Sequence, residues 1–498
     1  MRALMGYLLM GSNKFLLLGI FLMQVFAAGS ARAMLWVEQP VLSVPAYGGG
    51  TPFGPCASPI LSSNAKYMTF LCRSDDIVVG DDNERSDVFI LDHFSGEISR
   101  VSVDSQNQDH RFDSGPGFSS DDGRYVMFDS NARLDPVLPW DYYDNGIGNV
   151  FLRDRDSGST VLVGLDKMGR PRVAGTSLAA VSFGRHEVLF ASTDNLVGDF
   201  DLNGPFGYDL YLRDWRGGGL EIISGPQNGV QGNCSSGVFG AMSEDGRYIV
   251  FTSCASNLTD DNPDQVSNLF MYDRWLGTKR RLTWPWHGGE FTYPGPDFSV
   301  ALGARTLVAG RYLTFSSFGT EFVEGVDPDS IHPNVYLLDA QTGAIELISR
   351  SWDGSPAALG GQRIVMSENG RYLAFASRSP TILSDPGVTP AIYLRDRWTG
   401  ETVNISAPLG PMHPNHAPEL DLSGDGSMLA FSWRHADTAG IPLAGRTLIY
   451  TVSISGTPIK LPAPEAVPST SWGSRLGTAT LLILMGAGWL SRCRRRAH

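Results

Sequence analysis

The chain has 498 residues, of which 42% are hydrophobic and 18% are charged, and it contains 57 Gly and 30 Pro. This composition allows a large core and favours many turns between short strands over long helices. The formal net charge of −13 excludes nucleic acid as a partner of the main body, because phosphate binding needs a basic surface.

The first 33 residues have the three regions of a secretory signal peptide. Arg2 and Lys14 supply positive charge, residues 15–26 are apolar, and Ala31 and Ala33 form a small-x-small cleavage site. We expect export by the Sec pathway and cleavage after Ala33. An uncleaved anchor is the alternative, but the apolar segment is short for a membrane span.

A turn motif, Ser-x-Asp/Asn-Gly-Arg-Tyr, recurs along the chain about every 60 residues. Complete copies begin at Ser120, Ser243 and Ser367. Weaker or degenerate copies occupy residues 62–67, 184–185, 310–312 and 423–427. Asp-Gly and Asn-Gly between apolar runs predict hairpins, because Gly accepts positive φ and the Asp or Asn side chain bonds to its own turn backbone.

A second block follows each turn motif and consists of a leading Asp or Asn, alternating apolar residues and a closing Asp. Its copies are residues 87–92, 149–154, 209–214, 268–273 and 334–339, a copy at 391–396 without the leading polar residue, and a faded copy at 447–452. In the first six copies a Gly stands four residues after the closing Asp, which predicts a second hairpin.

Each unit is therefore predicted to be a four-stranded antiparallel meander. One such sheet cannot bury both of its faces alone, but sheets stacked around an axis cover each other. The fold class is thus predicted to be all-β, a single β-propeller with seven four-stranded blades. For closure of the ring, residues 41–44 resemble the outer strand at residues 100–103 and are favoured to pair with the last blade. Residues 457–461 are the alternative, although Pro458 suits an edge better than a centre.

Four of the five cysteines bracket predicted strand pairs. Cys56 and Cys72 enclose the first pair, and Cys234 and Cys254 enclose the fourth. Each pair would lie at the open ends of two antiparallel strands, and export permits oxidation, so we expect two disulfides. Buried free thiols are the alternative. A zinc site is disfavoured because the spacings are long and no His accompanies them.

The repeat resembles the TolB-type, WD-like propeller repeat of exported bacterial proteins. The closest copy combines residues 367–375 with Tyr-Leu-Arg-Asp-Arg-Trp-Thr-Gly at residues 393–400. The resemblance covers about residues 51–461 and implies a TolB-like propeller domain at residues 34–461. That family implies an interaction scaffold more often than an enzyme.

The composition changes after residue 461. Residues 462–475 form a Pro-rich linker, and residues 476–498 contain an apolar segment followed by an Arg-rich tail. The apolar segment is predicted to be a transmembrane helix, and the arginines are expected to stay in the cytoplasm by the positive-inside rule.

This layout resembles the PEP-CTERM class of bacterial sorting tails, and its motif is similar to the IPTL-CTERM variant. The residues that carry the resemblance are Pro468, Thr470, Trp472, Gly473, Arg494, Arg495 and Arg496. The sequence departs from the pattern at Ser469 and Arg475. The resemblance implies a periplasm-facing, membrane-anchored precursor, processing by an exosortase-like enzyme, and delivery to the cell surface or the extracellular space. A permanent membrane anchor is the alternative.

One acidic loop is a candidate calcium site. Asp199, Asp201 and Asn203 place oxygen ligands at alternate positions before Gly204, and Asp209 is a fourth candidate ligand. A hard cation prefers several such oxygens on a tight turn. The alternative is a solvated turn whose side chains bond to the local backbone.

Two further segments carry candidate chemistry. His413 and His416, with Glu419 and Asp421, have metal-ligand spacing, but the prolines around them favour a loop with incidental histidines. Residues 284–287, Trp-Pro-Trp-His, and the aromatic residues at 291 and 293 form an aromatic loop. Exposed aromatic side chains stack on sugars or anchor partners, but packing of these rings over the propeller is the favoured interpretation.

The sequence contains no Gly-x-Ser-x-Gly elbow, phosphate-binding loop or dinucleotide fingerprint. We therefore predict a non-enzymatic binding scaffold at the cell envelope, with a protein or a polysaccharide as its partner. The alternatives are a propeller lyase or hydrolase that acts on an extracellular polysaccharide, and a calcium-stabilised structural protein of an extracellular matrix.

Overall fold

The computed structural model describes residues 37–454, except for 39, 47–50, 109, 139–147, 172–174, 199–201, 205–206, 227–230, 263–266, 289–306, 309, 327–331, 386 and 438–442. The chain divides into the units Met1–Ile459 and Lys460–His498, and every described residue belongs to the first. The predicted signal peptide, linker, apolar segment and Arg-rich tail lie outside the described residues. Within those residues, no helix has the length and apolar character needed to cross a membrane.

The described strands form seven four-stranded antiparallel sheets, which are the predicted blades. Blade 1 contains β2 (Cys56–Leu61), β3 (Tyr67–Cys72), β4 (Asp87–Asp92) and β5 (Ile98–Arg100). Blade 2 contains β6 (Ser114–Ser119), β7 (Tyr125–Ser130), β8 (Asn149–Asp154) and β9 (Ser159–Leu162). Blade 3 contains β10 (Thr176–Ser182), β11 (Glu187–Ser192), β12 (Asp209–Asp214) and β13 (Leu220–Ile222).

The remaining blades follow the same order. Blade 4 contains β14 (Ser236–Met242), β15 (Tyr248–Ser253), β16 (Asn268–Asp273) and β17 (Thr278–Arg281). Blade 5 contains β18 (Leu307–Val308), β19 (Tyr312–Ser317), β20 (Asn334–Asp339) and β21 (Ala344–Leu347). Blade 6 contains β22 (Gln362–Met366), β23 (Tyr372–Ser377), β24 (Ala391–Asp396) and β25 (Thr402–Asn404), and a short 3₁₀ helix follows at Ala407–Leu409.

Blade 7 is completed by the N-terminal strand, as predicted. Three of its strands come from the end of the described chain: β26 (Leu420–Leu422), β27 (Met428–Arg434) and β28 (Thr447–Ser453). The fourth is β1 (Val41–Leu42), which pairs antiparallel with β28, Val41 opposite Thr451. The backbone bonds Glu38 N to Ser453 O and Ser43 N to Ile449 O extend this pairing. Both ends of the propeller chain therefore lie in one sheet, which closes the ring.

The core consists of the seams between neighbouring blades. The second and third strands of the blades are apolar runs that are buried on both faces, which suits central strands. Between blades 1 and 2, Val88 and Ile90 pack with Val126 and Phe128. At the closing seam, Phe70 of blade 1 packs with residues of blade 7. Each blade thus covers the faces of its neighbours, as a propeller requires.

An aromatic pair recurs in the middle of every blade. The fourth residue of the second strand is a Phe, and it lies directly opposite a Phe or Tyr of the third strand with ring centroids 5.2 to 6.1 Å apart. The pairs are Phe70–Phe89, Phe128–Phe151, Phe190–Tyr211, Phe251–Phe270, Phe315–Tyr336, Phe375–Tyr393 and Phe431–Tyr450. Directly opposed aromatic side chains stabilise a strand pair beyond the area they bury.

Candidate functional site

Each blade has two kinds of connection, at opposite ends of its strands. At one end, which we call the turn face, lie the turn between the first and second strands and the turn between the third and fourth strands. At the other end, the loop face, lie the loop between the second and third strands and the connection to the next blade. Antiparallel order imposes this division, because successive strands reverse direction. The turn face carries the repeated motifs, and the loop face carries the variable segments.

On the turn face, the Arg of the turn motif binds the closing Asp of the third strand through two N–H groups. In blade 4, Arg247 Nε and Nη2 donate to the carboxylate oxygens of Asp273 at 3.0 and 2.7 Å. The same pair occurs in blades 2, 5 and 6, as Arg124–Asp154, Arg311–Asp339 and Arg371–Asp396. Hydrogen bonding from Arg247 lowers the pKa of Asp273, and hydrogen bonding from Arg124 lowers the pKa of Asp154 to about 2. The Arg therefore ties the two hairpins of a blade together.

The Gly and Tyr of the turn motif meet across blade boundaries. Gly123 of blade 2 has a φ of +71°, and a Cβ there would collide with the ring of Tyr67 in blade 1. Gly310 of blade 5 has a φ of +67° and lies in the same way against Tyr248 of blade 4. This Gly therefore meets two requirements, the positive φ of the turn and the close approach of the neighbouring Tyr.

The Arg that follows the closing Asp adds a second contact between blades. In blade 6, Arg397 Nη1 donates to the carbonyl oxygen of Gly370 at 2.7 Å, and the guanidinium lies 4.6 Å from the ring centroid of Tyr312 in blade 5. Arg155 and Arg274 make the same bond to the carbonyl oxygens of Gly123 and Gly246. The polar residues of both motifs are thus engaged in holding the scaffold.

The turns between first and second strands also meet one another. Ser63 of blade 1 donates through its hydroxyl to Glu368 Oε1 of blade 6 at 2.6 Å and through its N–H to Asp121 Oδ1 of blade 2 at 2.7 Å. Its carbonyl oxygen accepts the N–H of Asp425 in blade 7. Blades 1 and 6 are not neighbours in the ring, so these turns approach one another near the axis.

On the loop face, the leading polar residue of the third strand is held by a hydroxyl fifteen residues later. Ser224 Oγ donates to Asp209 Oδ1 at 2.7 Å and accepts the N–H of Leu210 at 3.0 Å. The equivalent hydroxyl bonds in blades 1, 4 and 5 are Ser102–Asp87, Thr283–Asn268 and Ser349–Asn334. The leading Asp or Asn therefore fixes the connection that leaves the fourth strand.

The candidate calcium loop lies only partly within the described residues. Asp199 and Asp201 lie outside them, so calcium binding stays a prediction. Asn203 Nδ2 lies 3.3 Å from Asp209 Oδ2, and Gln231 Nε2 donates to the same oxygen. Asp209 is thus already engaged by protein groups, which agrees with the alternative of side chains that bond locally.

The two candidate histidines of blade 7 have separate partners. His413 Nε2 lies 3.2 Å from Asp437 Oδ2, and His416 Nε2 lies 3.3 Å from the carbonyl oxygen of Ser432. Burial lowers the pKa of His416. Glu419 accepts the N–H and hydroxyl of Ser58 in blade 1 at 2.7 Å.

Asp421, the other carboxylate of that candidate group, accepts the N–H of Leu61 in blade 1 at 2.8 Å. Glu419 and Asp421 therefore connect the first strands of blades 7 and 1. Across the described residues, no three His, Cys, Asp or Glu side chains are placed to hold a metal ion.

Both predicted disulfides are confirmed and lie at the loop face. Cys56 and Cys72 are directly opposite each other in the pairing of β2 with β3, with their Cα atoms 4.1 Å apart. Cys234 and Cys254 stand at the corresponding ends of β14 and β15, with their Cα atoms 5.4 Å apart. Each bridge joins the first strand of a blade to the end of its second strand.

The described part of the aromatic loop exposes its two tryptophans. Trp284 is 38% exposed and Trp286 is 53% exposed, whereas Pro285 between them is buried. The guanidinium of Arg281 lies 4.1 Å from the ring centroid of Trp284. The sequence favours packing of this loop over the propeller, but Trp284 and Trp286 are exposed. The aromatic residues at 291 and 293 lie outside the described residues.

Asp129 is a buried carboxylate that the sequence reasoning missed. A Cβ on Gly115 would collide with its Oδ1, so the carboxylate lies against the first strand of its own blade. The N–H of Leu178 in blade 3 bonds to the carboxylate, yet burial is the larger effect and raises the pKa of Asp129 to about 6. Its Oδ1 has no hydrogen-bond partner among the described residues. The other blades have Leu, Ala, Ser or Thr at this position, so a comparison of the repeats would have identified the Asp of blade 2 as unusual.

Two cavities bounded by described residues are lined by other groups. One, of about 400 Å³, is bounded by Leu220 and Ile222 of blade 3 and by Tyr272 and Lys279 of blade 4. In this cavity, burial lowers the pKa of Lys279 to about 8, and its Nζ donates to the carbonyl oxygen of Gly225 at 2.6 Å. A second, of about 360 Å³, lies beside Ile77 of blade 1.

Comparisons with known proteins find solved structures that are similar at low identity. No family model and no curated protein matches the chain. A prolyl endopeptidase of known structure is similar over 80% of this chain and 47% of its own, with a TM-score of 0.44 and 12% identity. TolB from Acinetobacter baumannii is similar over 69% of this chain and 79% of its own, with a TM-score of 0.33 and 14% identity. This chain spans about half the length of the prolyl endopeptidase.

Proposed function

We propose that the protein is an exported, non-enzymatic β-propeller that acts as a binding scaffold at the cell envelope. The observation that carries this proposal is the contrast between the two faces. The conserved-looking polar residues of the repeat, such as Arg247 and Asp273, bond to one another within the scaffold. The exposed aromatic residues Trp284 and Trp286 lie on the loop face, in a connection whose residue types vary from blade to blade.

Export and surface delivery are part of the proposal. The signal peptide at residues 1–33 and the tail at residues 462–498 are their sequence support. The two disulfides suit an oxidising compartment. In this proposal the membrane segment holds a precursor, an exosortase-like enzyme removes the tail, and the mature protein reaches the cell surface.

The binding role is tested by a pull-down from envelope extract with the mature protein as bait. We expect a specific protein or polysaccharide to be retained by the native propeller and lost when the propeller is heat-denatured. Retention of nothing beyond a bead control contradicts the proposal. Turnover of an envelope polysaccharide by the purified protein contradicts its non-enzymatic part and supports a lyase or hydrolase.

Sorting is tested by mass analysis of the protein from the cell surface. We expect the residues after about Pro468 to be missing, because the resemblance of the tail implies processing near the motif. Surface-exposed protein that still carries Arg494, Arg495 and Arg496 contradicts processing and supports a permanent anchor.

A further inference from the structure

The connection from blade 4 to blade 5 exposes two tryptophans. Burial alternates along it: Trp284 is exposed, Pro285 is buried and Trp286 is exposed. Trp286 lies in the turn that the N–H of Gly288 closes on the carbonyl oxygen of Pro285, and residues two apart lie within about 7 Å of each other along the chain. Residue 284 precedes a proline, which favours an extended backbone there. We call Trp284 and Trp286 the Trp pair.

Residues 284–288, which carry the Trp pair, are held by backbone hydrogen bonds. The N–H of Trp286 donates to the carbonyl oxygen of Glu321 in blade 5 at 2.8 Å, and the N–H of Gly288 donates to that of Pro285 at 3.0 Å. The blade 5 loop is anchored in turn, because Phe322 is buried and lies 5.2 Å from the ring centroid of Tyr336. Binding to this surface therefore requires little ordering of residues 284–288, which reduces the entropic cost of association.

One face of Trp284 is already occupied by a cation. Arg281 is only 4% exposed, and its guanidinium is held by the carbonyl oxygens of Thr283 at 2.9 Å and Asp261 at 2.7 Å. It supports the inner face of the indole and leaves the outer side of Trp284 to solvent. Because Arg281 is buried beneath the ring, its charge is not presented to an approaching anion.

We propose that the Trp pair is a stacking site for sugar rings of a neutral polysaccharide. This proposal rests on the proposed binding function of the loop face and names the ligand class. Flat exposed rings suit the apolar faces of sugars, whereas a protein anchor favours a pocket that excludes water. Trp286 is more than half exposed and so does not fill such a pocket. The net charge of −13 and the exposed Glu324 on the adjoining loop disfavour an acidic polysaccharide.

The test is affinity electrophoresis and calorimetry of the mature protein with three oligosaccharide probes. Cellohexaose and chitohexaose are the neutral probes, and hexagalacturonate is the acidic one. The test variant is W284A/W286A. The matched control is W275A/W398A, because Trp275 and Trp398 are 65% and 70% exposed on the turn face and also stack on arginines, at 4.6 and 4.7 Å. Circular dichroism and thermal unfolding establish that both variants are folded.

We expect the wild type and W275A/W398A to bind at least one neutral probe, and W284A/W286A to bind it at least tenfold more weakly. Absence of neutral binding, equal loss in both variants, or tighter binding of hexagalacturonate overturns the proposal. If the loop face retains an envelope protein but no neutral sugar, the ligand class is wrong and the scaffold function stands. If the envelope pull-down also retains nothing, both proposals fail.

Discussion

The turn face and the loop face of the propeller use similar residue types for different purposes. Trp398 on the turn face and Trp284 on the loop face are both exposed and both stack on an arginine. On the turn face that arginine, Arg371, also binds the closing Asp396, and Arg, Asp and Tyr recur there from blade to blade. On the loop face the residue types of the connections change from blade to blade, and the second residue of the same turn is Ser105, Lys167, Trp286 or Trp352. The repeat therefore maintains the ring, and departures from the repeat are where binding is expected.

The largest change in the free energy of unfolding is expected from a substitution of Gly123, on the turn face. Gly123→Ala adds both a strained positive φ and a collision with Tyr67 of the neighbouring blade, so we expect a loss of about 3 to 5 kcal/mol in the free energy of unfolding. The control is Gly277→Ala, which has a φ of +67° but no atoms within 4 Å of the added Cβ and should cost only about 1 kcal/mol. Urea unfolding of both variants measures the difference. Equal losses would remove the contact between blades from the account.

A substitution of Asp129 is expected to increase the free energy of unfolding, the opposite of the effect at Gly123. Because its pKa is raised to about 6, the folded state disfavours the charged form, and stability should increase as the pH falls from above 6 towards 4. Asp129→Asn removes this penalty and should stabilise the protein at pH 7 by about 1 to 3 kcal/mol. Unfolding curves at pH 7 and pH 4.5 measure this. A variant that is less stable than the wild type at pH 7 contradicts the burial of a charge there.

Asp273 tests the ion pairs of the turn face. Its pKa is lowered by Arg247, so its contribution is fully present above the unfolded value near 4 and is lost as the pH falls through the folded value. Asp273→Asn should cost about 1 to 2 kcal/mol at pH 7 and should flatten the loss of stability below pH 4. Asp156→Asn is a control, since that Asp lies at a separation of 3.4 Å from Arg124 and is 70% exposed. A similar pH profile for the wild type and Asp273→Asn would contradict the role of the pair.

The smallest effect on the free energy of unfolding is expected from a substitution of Trp286. Trp286 is more than half exposed and outside the core, so Trp286→Ala should change the free energy of unfolding by less than about 0.5 kcal/mol. Thermal and urea unfolding check this. A loss above about 2 kcal/mol would show that the loop supports the fold and would weaken its assignment as a binding surface.

The architecture could be predicted from the sequence because its signals are local. The hairpins are defined by Asp-Gly turns, apolar runs and the Gly four residues after each closing Asp. Both predicted disulfides are present. The bond from Arg247 to Asp273 could not be predicted, because it depends on the register between the two hairpins of a blade. The contact of Tyr248 with Gly310 could not be predicted either, because it depends on the neighbouring blade. The aromatic pair of Phe251 with Phe270 was within reach, since aligning the repeats places an aromatic residue at both positions in every blade.

The sites were harder to predict, because the same residue type serves the scaffold and a ligand. Asp209 was predicted as a calcium ligand, and in the structure it binds Ser224 and Gln231. The fifteen-residue separation between the leading Asp or Asn and a hydroxyl recurs in several blades and could have indicated this role. His413 and His416 are close in sequence, yet they bond to different partners, which spacing alone does not show.

The central claim is that the turn face maintains the ring and the loop face binds. It is tested most directly by measuring unfolding and retention of envelope components together, for Asp273→Asn and for W284A/W286A. The account predicts a crossed result: Asp273→Asn is less stable and retains its partner, whereas W284A/W286A stays folded and loses it. Loss of retention in Asp273→Asn with an unchanged free energy of unfolding would contradict the account.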